Sequence, residues 1–281
     1  MWAIIGGSGF EKFDGFKAIG DVDRETPFGL ASSGIKRVQL GSHECLFVSR
    51  HGSHHELLPS EVNFRANIFA LKRAGAKAIV SFSAIGSLRQ EYKPGDMVIP
   101  VQYMDRTKGV RAHTFCGDGI VGHVSLAKPI CQSMANKAME LTNGVSFDRH
   151  IGQTYVCIEG PFFSTKAESN WYRSMGADII GMTHCPEVGL AREAGLPYLP
   201  CCFVTDYDCW DDSIPHVTLE EVIQTMRQNN SKAFEVAEKV LASGSSLYEG
   251  CDCAEQGLRM GLMTPKEAIP SDKMQWLEVL L

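Results

Sequence analysis

Short apolar runs alternate along the chain with longer segments in which apolar residues recur every three or four positions. A short apolar run is typical of a buried strand, whereas recurrence at three and four is typical of one face of a helix. The runs predict strands at 2–5, 44–49, 76–82, 97–101, 154–158, 179–180 and 198–205. The periodic segments predict helices at 60–75, 126–141, 164–175, 187–194 and 219–241. This alternation indicates an α/β protein with a largely parallel sheet.

Length and composition indicate a protein that builds its own hydrophobic core. The chain has 281 residues, of which 44% are apolar, and a chain of this size buries about three quarters of the surface that it exposes when unfolded. No internal repeat, low-complexity tract or linker divides it. We therefore expect one domain over residues 1–281, with a C-terminal segment that starts at about residue 244.

Charge and hydropathy exclude several classes of function. The formal net charge is -6 and no run of lysine or arginine occurs, which argues against nucleic acid as the main partner. The apolar runs are far shorter than the roughly 20 residues of a membrane-spanning helix. The first ten residues also lack the basic leader of a secretory signal. We expect a cytoplasmic protein with a small-molecule partner and no membrane contact.

Polar residues follow several of the predicted strands. In a parallel α/β sheet, ligands bind at the carboxyl ends of the strands. Hydroxyls, glycine-loop amides and an arginine hold phosphate, and two carboxylates suit a polar organic group. The residues at these ends are Ser8, Arg50, His51, Ser83, Ala84, Met182, Thr183, Asp206 and Asp208. They predict a site for phosphate and a polar organic partner.

Other interpretations of these residues remain open. The glycine loop at 6–9 differs from a dinucleotide-binding fingerprint, because Lys12 stands where a third glycine or alanine belongs. Asp206 and Asp208 either cap a turn or share one face of an extended segment, where alternation would place them together. Ser164 is a candidate helix cap, and Phe163 a candidate core residue.

Neither histidines nor cysteines form a clear metal motif. No acidic or cysteine cluster accompanies His51, His54 and His55, so we expect no metal there. The ten cysteines are scattered without the spacing of zinc hooks. Only Cys251 and Cys253 lie close in sequence; they could close a small strained ring or bind a soft metal, although two free thiols are favoured.

Several motifs together resemble one protein family. They are IIGGSG (4–9), TPFG (26–29), SRHG (49–52), NFRANIFALK (63–72), GSLRQEYKPGD (86–96), EGPFFSTKAES (159–169), GMTHCPEVGLAREAG (181–195) and TDYDCW (205–210). The chain is similar, from Ile4 to about Leu241, to the trimeric purine nucleoside phosphorylases. The resemblance implies a three-layer α/β fold with a mixed, distorted central sheet flanked by helices. It also implies a homotrimer that uses inorganic phosphate as co-substrate and needs no other cofactor.

The resemblance also implies roles for individual residues. The phosphate site would consist of Ser8, Arg50, His51, Ser83, Thr183 and the backbone N–H of Ala84. The nucleoside would contact Phe163 and Ser164 at the base and Met182 at the ribose. Asp206 would protonate or hydrogen-bond purine N7, and Asp208 would accept from the exocyclic amino group. The 5'-substituent would lie against Leu219, Val222 and Ile223, closed by His123 of a neighbouring subunit.

Asp208 points to an adenine base, since members that act on 6-oxopurines carry asparagine in this region. The resemblance is strongest to members that cleave 5'-methylthioadenosine; broader specificity for adenosine, inosine or methylthioinosine is the alternative. The chain departs from the family at Ser8 and Ser83, where many animal members have threonine. At His184 a small hydroxyl residue is expected instead, so this histidine could alter phosphate affinity or the pH profile.

Overall fold

The computed structural model of the protein describes residues 1–10, 15–211 and 219–281, without the side chain of Leu219. The strands are β1 (Trp2–Gly6), β2 (Lys17–Val22), β3 (Glu25–Thr26), β4 (Gly29–Leu30), β5 (Ile35–Leu40), β6 (His43–Ser49), β7 (Ala78–Ser87), β8 (Met97–Arg106), β9 (Arg149–Ile158), β10 (Ile179–Gly181) and β11 (Tyr198–Asp206). The helices are α1 (Phe64–Arg73), α2 (Gln132–Leu141), α3 (Lys166–Ser174), α4 (His184–Glu193), α5 (Leu219–Ala242), α6 (Leu258–Gly261) and α7 (Ser271–Leu280).

The main sheet is mixed, with the strand order β10-β9-β8-β11-β7-β1-β6-β5-β2. The central pairs β1–β6, β1–β7 and β7–β11 are parallel. The pairs β5–β6, β2–β5 and β8–β11 are antiparallel. The α/β class is confirmed, but the expectation of a largely parallel sheet is wrong, because hairpins extend one edge and β8 pairs antiparallel with β11 inside the sheet.

One end of the sheet curls back on itself. Strand β10 pairs in parallel with β9 and also pairs antiparallel with the far end of β7. The strands β7, β11, β8, β9 and β10 therefore form a closed ring. This closure requires long strands, and β7 continues to Ser87, five residues beyond the predicted end of this strand at residue 82. Small side chains such as Ala84 and Gly86 do not end a strand whose backbone pairs on both sides.

Local interactions set the helix boundaries. Asn63 caps α1, because its side-chain oxygen accepts from the backbone N–H of Ala66 at 3.1 Å. The helix therefore begins at Phe64, four residues after the predicted start. Helix α3 begins after Thr165, which forms a capping box with Glu168. The interpretation of Ser164 as the cap of this helix is thus wrong.

The largest group of contacting buried apolar side chains runs from Trp2 in β1 to Leu280 in α7. The C-terminal helices therefore pack on the same core as the sheet. The helices in the described part of the chain are all too short or too polar to span a bilayer.

Candidate active site

A cavity of about 580 Å³ lies where β1, β6, β10 and β11 end and β7 bends into the ring. Its walls contain most of the residues that the sequence singled out: Ser8, Arg50, His51, Ser83, Ala84, Phe163, Ser164, Met182, Thr183, Asp206, Asp208, Val222 and Ile223. The strand topology explains this convergence, since the carboxyl ends of neighbouring strands meet at one edge of a sheet. His123 is exposed and absent from the cavity wall of its own chain. The side chain of Leu219 lies outside the described residues.

The loop after β1 packs directly against the arginine of the site. The N–H of Phe10 donates to the carbonyl of Gly7 at 2.9 Å, and Gly9 has a φ of 83°. A Cβ at Gly7 would lie 2.6 Å from Nη1 of Arg50 and equally close to the carbonyl oxygen of Phe82. Glycine is therefore required at position 7, and the loop brings Ser8 to the cavity beside Arg50.

Arg50 is fully buried and forms a two-pronged ion pair with Glu187. Its Nε donates to Oε2 of Glu187 at 2.7 Å, and its Nη2 donates to Oε1 at 2.8 Å. Nη2 also donates to Oγ of Ser81 at 2.6 Å, and Nη1 to the carbonyl of Phe82 at 3.1 Å. Four of the five guanidinium N–H groups are thus used by protein acceptors, which leaves one on Nη1 for a ligand.

Glu187 supplies the negative charge that offsets the cost of burying Arg50. Burial by itself raises the pKa of its carboxyl, but the charge and hydrogen bonds of Arg50 outweigh burial and hold the pKa below the usual range. Ser81 and Tyr198 also donate to Oε1 of Glu187, at 2.9 and 2.6 Å. This network fixes the guanidinium in one orientation at the cavity wall.

His184 lies behind Ser83, outside the cavity. It is fully buried, its Nε2 lies 3.0 Å from Oγ of Ser83, and its Nδ1 lies 3.2 Å from the hydroxyl of Tyr103. The imidazole stacks on Tyr155 with ring centres 4.6 Å apart. Burial, assisted by the charge of Arg50, lowers the pKa of His184 to about 3 against the opposing effect of Glu187. The histidine is therefore neutral and orients the Ser83 hydroxyl.

Because His184 is buried in its neutral form, we expect the free energy of unfolding to depend on pH. In the unfolded chain the pKa is about 6.5, so the unfolded state gains a proton below that pH while folded His184 stays neutral. Its stabilising contribution is present above pH 6.5 and is lost as the pH falls towards 3. Between pH 7.5 and 5 the free energy of unfolding should fall by about 2 kcal/mol more in the wild type than in His184→Gln.

Urea unfolding at several pH values measures this difference. The glutamine variant supplies the reference, because it keeps a polar side chain but does not titrate in this range. Parallel curves for the two proteins from pH 7.5 to 5 would contradict the assignment of His184 as a buried neutral group.

The two aspartates of the site are joined through the backbone. Asp206 is the last residue of β11; its Oδ2 accepts from Oγ1 of Thr205 at 2.6 Å and its Oδ1 accepts from the N–H of Asp208 at 2.8 Å. Asp208 has a φ of 52°, so the chain turns here. The alternation of an extended segment is therefore the wrong reason for their proximity; a turn brings both to the cavity.

Burial alters the acidity of both carboxyls. It raises the pKa of Asp206 despite the hydrogen bonds from Thr205 and Asp208. It raises the pKa of Asp208 to about 6, with a further contribution from the charge of Asp206. Oδ2 of Asp208 is buried and has no hydrogen-bond partner within the described residues. The pair can therefore hold a proton near neutral pH and offers an acceptor that lacks a partner.

An aromatic side chain forms the rim above these carboxyls. Phe163 is 72% exposed, so its interpretation as a core residue is wrong. An exposed phenylalanine at a cavity rim is suited to stacking on a planar ligand. Oγ of Ser164, the next residue, is buried without a partner within the described part of the chain.

A second buried arginine holds the segment that carries Met182 and Thr183. Nη1 of Arg111 donates to the carbonyls of Met182 and Cys185, both at 2.7 Å. Its Nε donates to Oε1 of Glu159 at 2.5 Å. Arg111 therefore fixes the backbone between β10 and α4, and this keeps Met182 in the cavity wall.

The remaining wall is apolar and belongs to α5. Val222, Ile223 and Met226 line it, and Met226 lies over the glycine loop, with its Cε 3.4 Å from the position of a Cβ at Gly9. The helical spacing of these residues places them on one face of α5.

The sequence analysis missed several residues that shape the site. Glu187 and Arg111 gave no signal, because each acts through a partner that is distant in the sequence. Met226 could have been found, since it continues the helical face of Val222 and Ile223. Others that line the cavity are His55, Glu56, Leu57, Leu58, Pro59, Ile85, Gly86, Ile158, Pro161, Ile180, Gly181 and Thr205.

Comparison with known proteins places this fold and site in a family. Residues 2–242 match the sequence model of the phosphorylase superfamily. The chain belongs to the phosphorylase superfamily. Among curated members, it is similar to S-methyl-5'-thioadenosine phosphorylase of Geobacter sulfurreducens, with 40% identity over 99% of this chain and 96% of the relative. The corresponding protein of Koribacter versatilis is 41% identical over 99% of this chain and 94% of its own.

Solved structures of phosphorylases have the same fold. A methylthioadenosine phosphorylase from an antarctic soil metagenomic library superposes with a TM-score of 0.91 and 44% identity, covering 100% of this chain and 98% of its own. The methylthioadenosine phosphorylase of Schistosoma mansoni in complex with adenine gives a TM-score of 0.84 and 33% identity over 93% of this chain and 98% of its own. The mixed sheet and the resemblance inferred from the motifs are therefore confirmed.

Proposed function

We propose that the protein cleaves the N-glycosidic bond of 5'-methylthioadenosine with inorganic phosphate, giving adenine and 5-methylthioribose 1-phosphate. One observation carries this proposal: a single cavity combines a buried arginine at one wall with two carboxyls of raised pKa at another. The names of the relatives support the same substrate.

The arginine wall would bind the phosphate. The remaining N–H of Arg50 and the hydroxyls of Ser8, Ser83 and Thr183 are donors for a dianion, with the N–H of Ala84 beside them. His51 donates from Nδ1 to the carbonyl of Leu57 at 2.9 Å, since a carbonyl can only accept. His51 would lie beside the phosphate in this wall.

The carboxyl wall would bind the base and assist its departure. As the glycosidic bond breaks, positive charge develops on the sugar and negative charge on the purine. Phosphate below the sugar stabilises the positive charge on the sugar and then attacks C1'. Protonated Asp206 stabilises the negative charge on the purine by donating to N7, and its buried position keeps the proton on the carboxyl. Asp208, with its unpartnered oxygen, accepts from the 6-amino group.

The apolar wall would bind the 5'-methylthio group. Val222 and Ile223 present the branched aliphatic surface that a thioether prefers to water. Met182 would lie against the ribose, with its backbone N–H donating to a sugar hydroxyl.

We further propose a homotrimer in which His123 of one subunit closes the cavity of its neighbour. The cavity of a single chain is open where Phe163 and Ile223 are exposed, and an adjacent subunit would cover this rim. The whole chain would act as one phosphorylase domain, because α7 shares the core of the sheet.

Release of free base tests the reaction directly. Purified protein is mixed with methylthioadenosine, methylthioinosine or adenosine, each with and without phosphate. We expect adenine release that requires phosphate and is fastest from methylthioadenosine. Hypoxanthine release alone would assign the protein to 6-oxopurines, and release without phosphate would make it a hydrolase.

Asp208→Asn tests the choice of base and the alternative of broad specificity. Asparagine can donate to a 6-oxo group, which a carboxylate repels, so the ratio of kcat/KM for methylthioinosine to that for methylthioadenosine should rise about tenfold or more. Steady-state kinetics with both substrates measure the ratio. An unchanged ratio would remove Asp208 from substrate selection.

Phe163→Ala tests base stacking, and Phe162→Ala is its matched control. Both rings are exposed, at 72% and 84%, but only Phe163 lines the cavity. Loss of a stacking ring costs about 1–3 kcal/mol of base binding, so the KM for nucleoside should rise about tenfold or more for Phe163→Ala. The KM of Phe162→Ala should stay within about twofold of the wild type; equal effects of the two changes would contradict a stacking role.

A further inference from the structure

Three cysteines that are distant in the sequence meet outside the active site. Cys131 precedes α2, and Cys251 and Cys253 lie in the segment that follows α5. Their sulfur atoms all lie within 4.8 Å of one another, and those of Cys131 and Cys251 are 2.8 Å apart. All three are free thiols, two buried and one half-buried. We refer to Cys131, Cys251 and Cys253 as the thiol cluster.

The backbone around the cluster favours negative charge on sulfur. Cys131 is the N-cap residue of α2, at the positive end of the helix, although its side chain makes no capping hydrogen bond. Cys251 caps the short helical turn at Asp252–Ala254, where its sulfur accepts from the N–H of Cys253 at 3.4 Å. Backbone N–H groups directed at sulfur stabilise thiolate, as they do around metal-bound cysteines.

A buried cation contacts the segment that carries Cys251 and Cys253. Arg192 is 4% exposed and donates to neutral oxygens, namely Oε1 of Gln256 at 2.9 Å and the carbonyl of Lys128 at 2.5 Å. No carboxylate in the described part of the chain forms an ion pair with it. A buried guanidinium of this kind is stabilised by an anionic neighbour.

We propose that the thiol cluster binds one Zn²⁺ ion per chain through three thiolates, with water as the fourth ligand. Thiolates select soft metals, and Zn²⁺ takes four ligands in tetrahedral geometry. Three thiolates and one Zn²⁺ carry a net charge of -1, which Arg192 balances. Zn–S bonds of about 2.3 Å place the sulfurs about 3.8 Å apart. Metal binding would therefore move the sulfurs of Cys131 and Cys251 apart by about 1 Å from their present 2.8 Å.

The ion would fasten the C-terminal segment to the core. Cys131 and Cys251 are 120 residues apart, so one ion would close a long loop and tie α2 to the chain that follows α5. None of the three cysteines lines the active-site cavity. We therefore assign the ion a structural role, whose loss leaves the chemistry of phosphorolysis in place.

Metal titration of the reduced full-length protein tests the site. Untagged protein is treated with a chelator and a thiol reductant, freed of both under anaerobic conditions, and titrated with Cd²⁺ as a spectroscopic probe. A thiolate-to-metal absorption band should saturate at one Cd²⁺ per chain, and Zn²⁺ should displace Cd²⁺ with the same stoichiometry. Saturating Zn²⁺ should raise the Tm by on the order of 5 °C, because the ion binds only the folded protein.

Single substitutions show whether Cd²⁺ binding depends on the thiol cluster or on other cysteines. Cys131→Ser and Cys253→Ser should each weaken Cd²⁺ binding about 100-fold or more, whereas Cys116→Ser, at a half-buried cysteine elsewhere, should bind like the wild type. Because Cys131 and Cys253 lie in different segments, one variant still tests the site if the other fails to fold. The metal stoichiometry of the wild-type protein is a further test that does not depend on any variant.

Three results would overturn the proposal. One is the absence of a thiolate-to-metal absorption band in protein whose ten cysteines are all reduced, as shown by their reactivity after unfolding. Another is a Cd²⁺ band that persists unchanged in both cluster variants. The third is a disulfide between two of the three cysteines in protein as purified, found by peptide mapping, together with no Cd²⁺ binding after reduction.

Discussion

Asp206→Ala should lower kcat for methylthioadenosine about 100-fold or more while KM changes by only a few-fold. The carboxyl of Asp206 assists the reaction mainly when negative charge develops on the leaving purine, so its loss affects the transition state more than the ground state. Burial raises the pKa of Asp206, which keeps it protonated at a pH where an exposed aspartate is ionised. Steady-state kinetics measure both parameters.

Asp206→Asn is the matched control for this change. The amide keeps the size of the side chain and can donate a hydrogen bond to N7, but it cannot transfer a proton. It should therefore retain more activity than the alanine variant. In the wild type, kcat should fall as the pH rises through the raised pKa of Asp206, and this alkaline limb should be absent in Asp206→Asn. Near-normal turnover by Asp206→Ala would exclude Asp206 as the acid.

Glu187→Ala should lower the free energy of unfolding by about 3–5 kcal/mol, because it leaves a fully buried arginine without its counter-charge. Arg50 is 0% exposed, and its two bonds to Glu187 are 2.7 and 2.8 Å long. Urea unfolding at pH 7.5 measures the loss. The pKa of folded Glu187 is held below its unfolded value, so the contribution of the pair is present above about pH 4.5 and is lost at lower pH.

A double variant distinguishes ionic pairing from simple damage to the core. In Arg50→Met/Glu187→Leu, both charges are replaced by apolar groups of similar size, so stability should recover in part relative to Glu187→Ala. Recovery should be incomplete, since Ser81 and Tyr198 lose the acceptor that Glu187 provides. The double variant should still lack phosphorolysis, because Arg50 is gone. Wild-type stability of Glu187→Ala would show that Arg50 does not depend on this partner.

The position of the site could be predicted from sequence because its residues follow strands. Arg50 comes directly after β6, and Asp206 ends β11. Strand ends converge whatever the details of packing. Ser83 lines the cavity for a different reason. It lies inside β7, whose length depends on pairing with β11 and β10, and no local pattern reports such pairing.

Sequence patterns alone left the environments of two side chains of the site open. Phe163 is apolar but exposed, because the cavity rim exists only once the loop before α3 is placed. Ser164 precedes a helix but does not cap it, since Thr165 and Glu168 form the reciprocal hydrogen bonds one residue later. In both cases the residue type permits two environments, and only the surrounding backbone decides between them.

The sequence by itself determined the α/β class, the order of the main elements, the family and about half of the residues that line the cavity. These follow from periodicity and from short motifs, which are local properties. Tertiary structure alone decided that Glu187 neutralises Arg50, that His184 is neutral behind Ser83, and that Cys131 joins Cys251 and Cys253. Each of these depends on contacts between residues that are about 100 or more positions apart, and on the burial that those contacts create. Because burial sets both the charge state and the hydrogen-bond partners of such groups, their roles emerge only when the chain is folded.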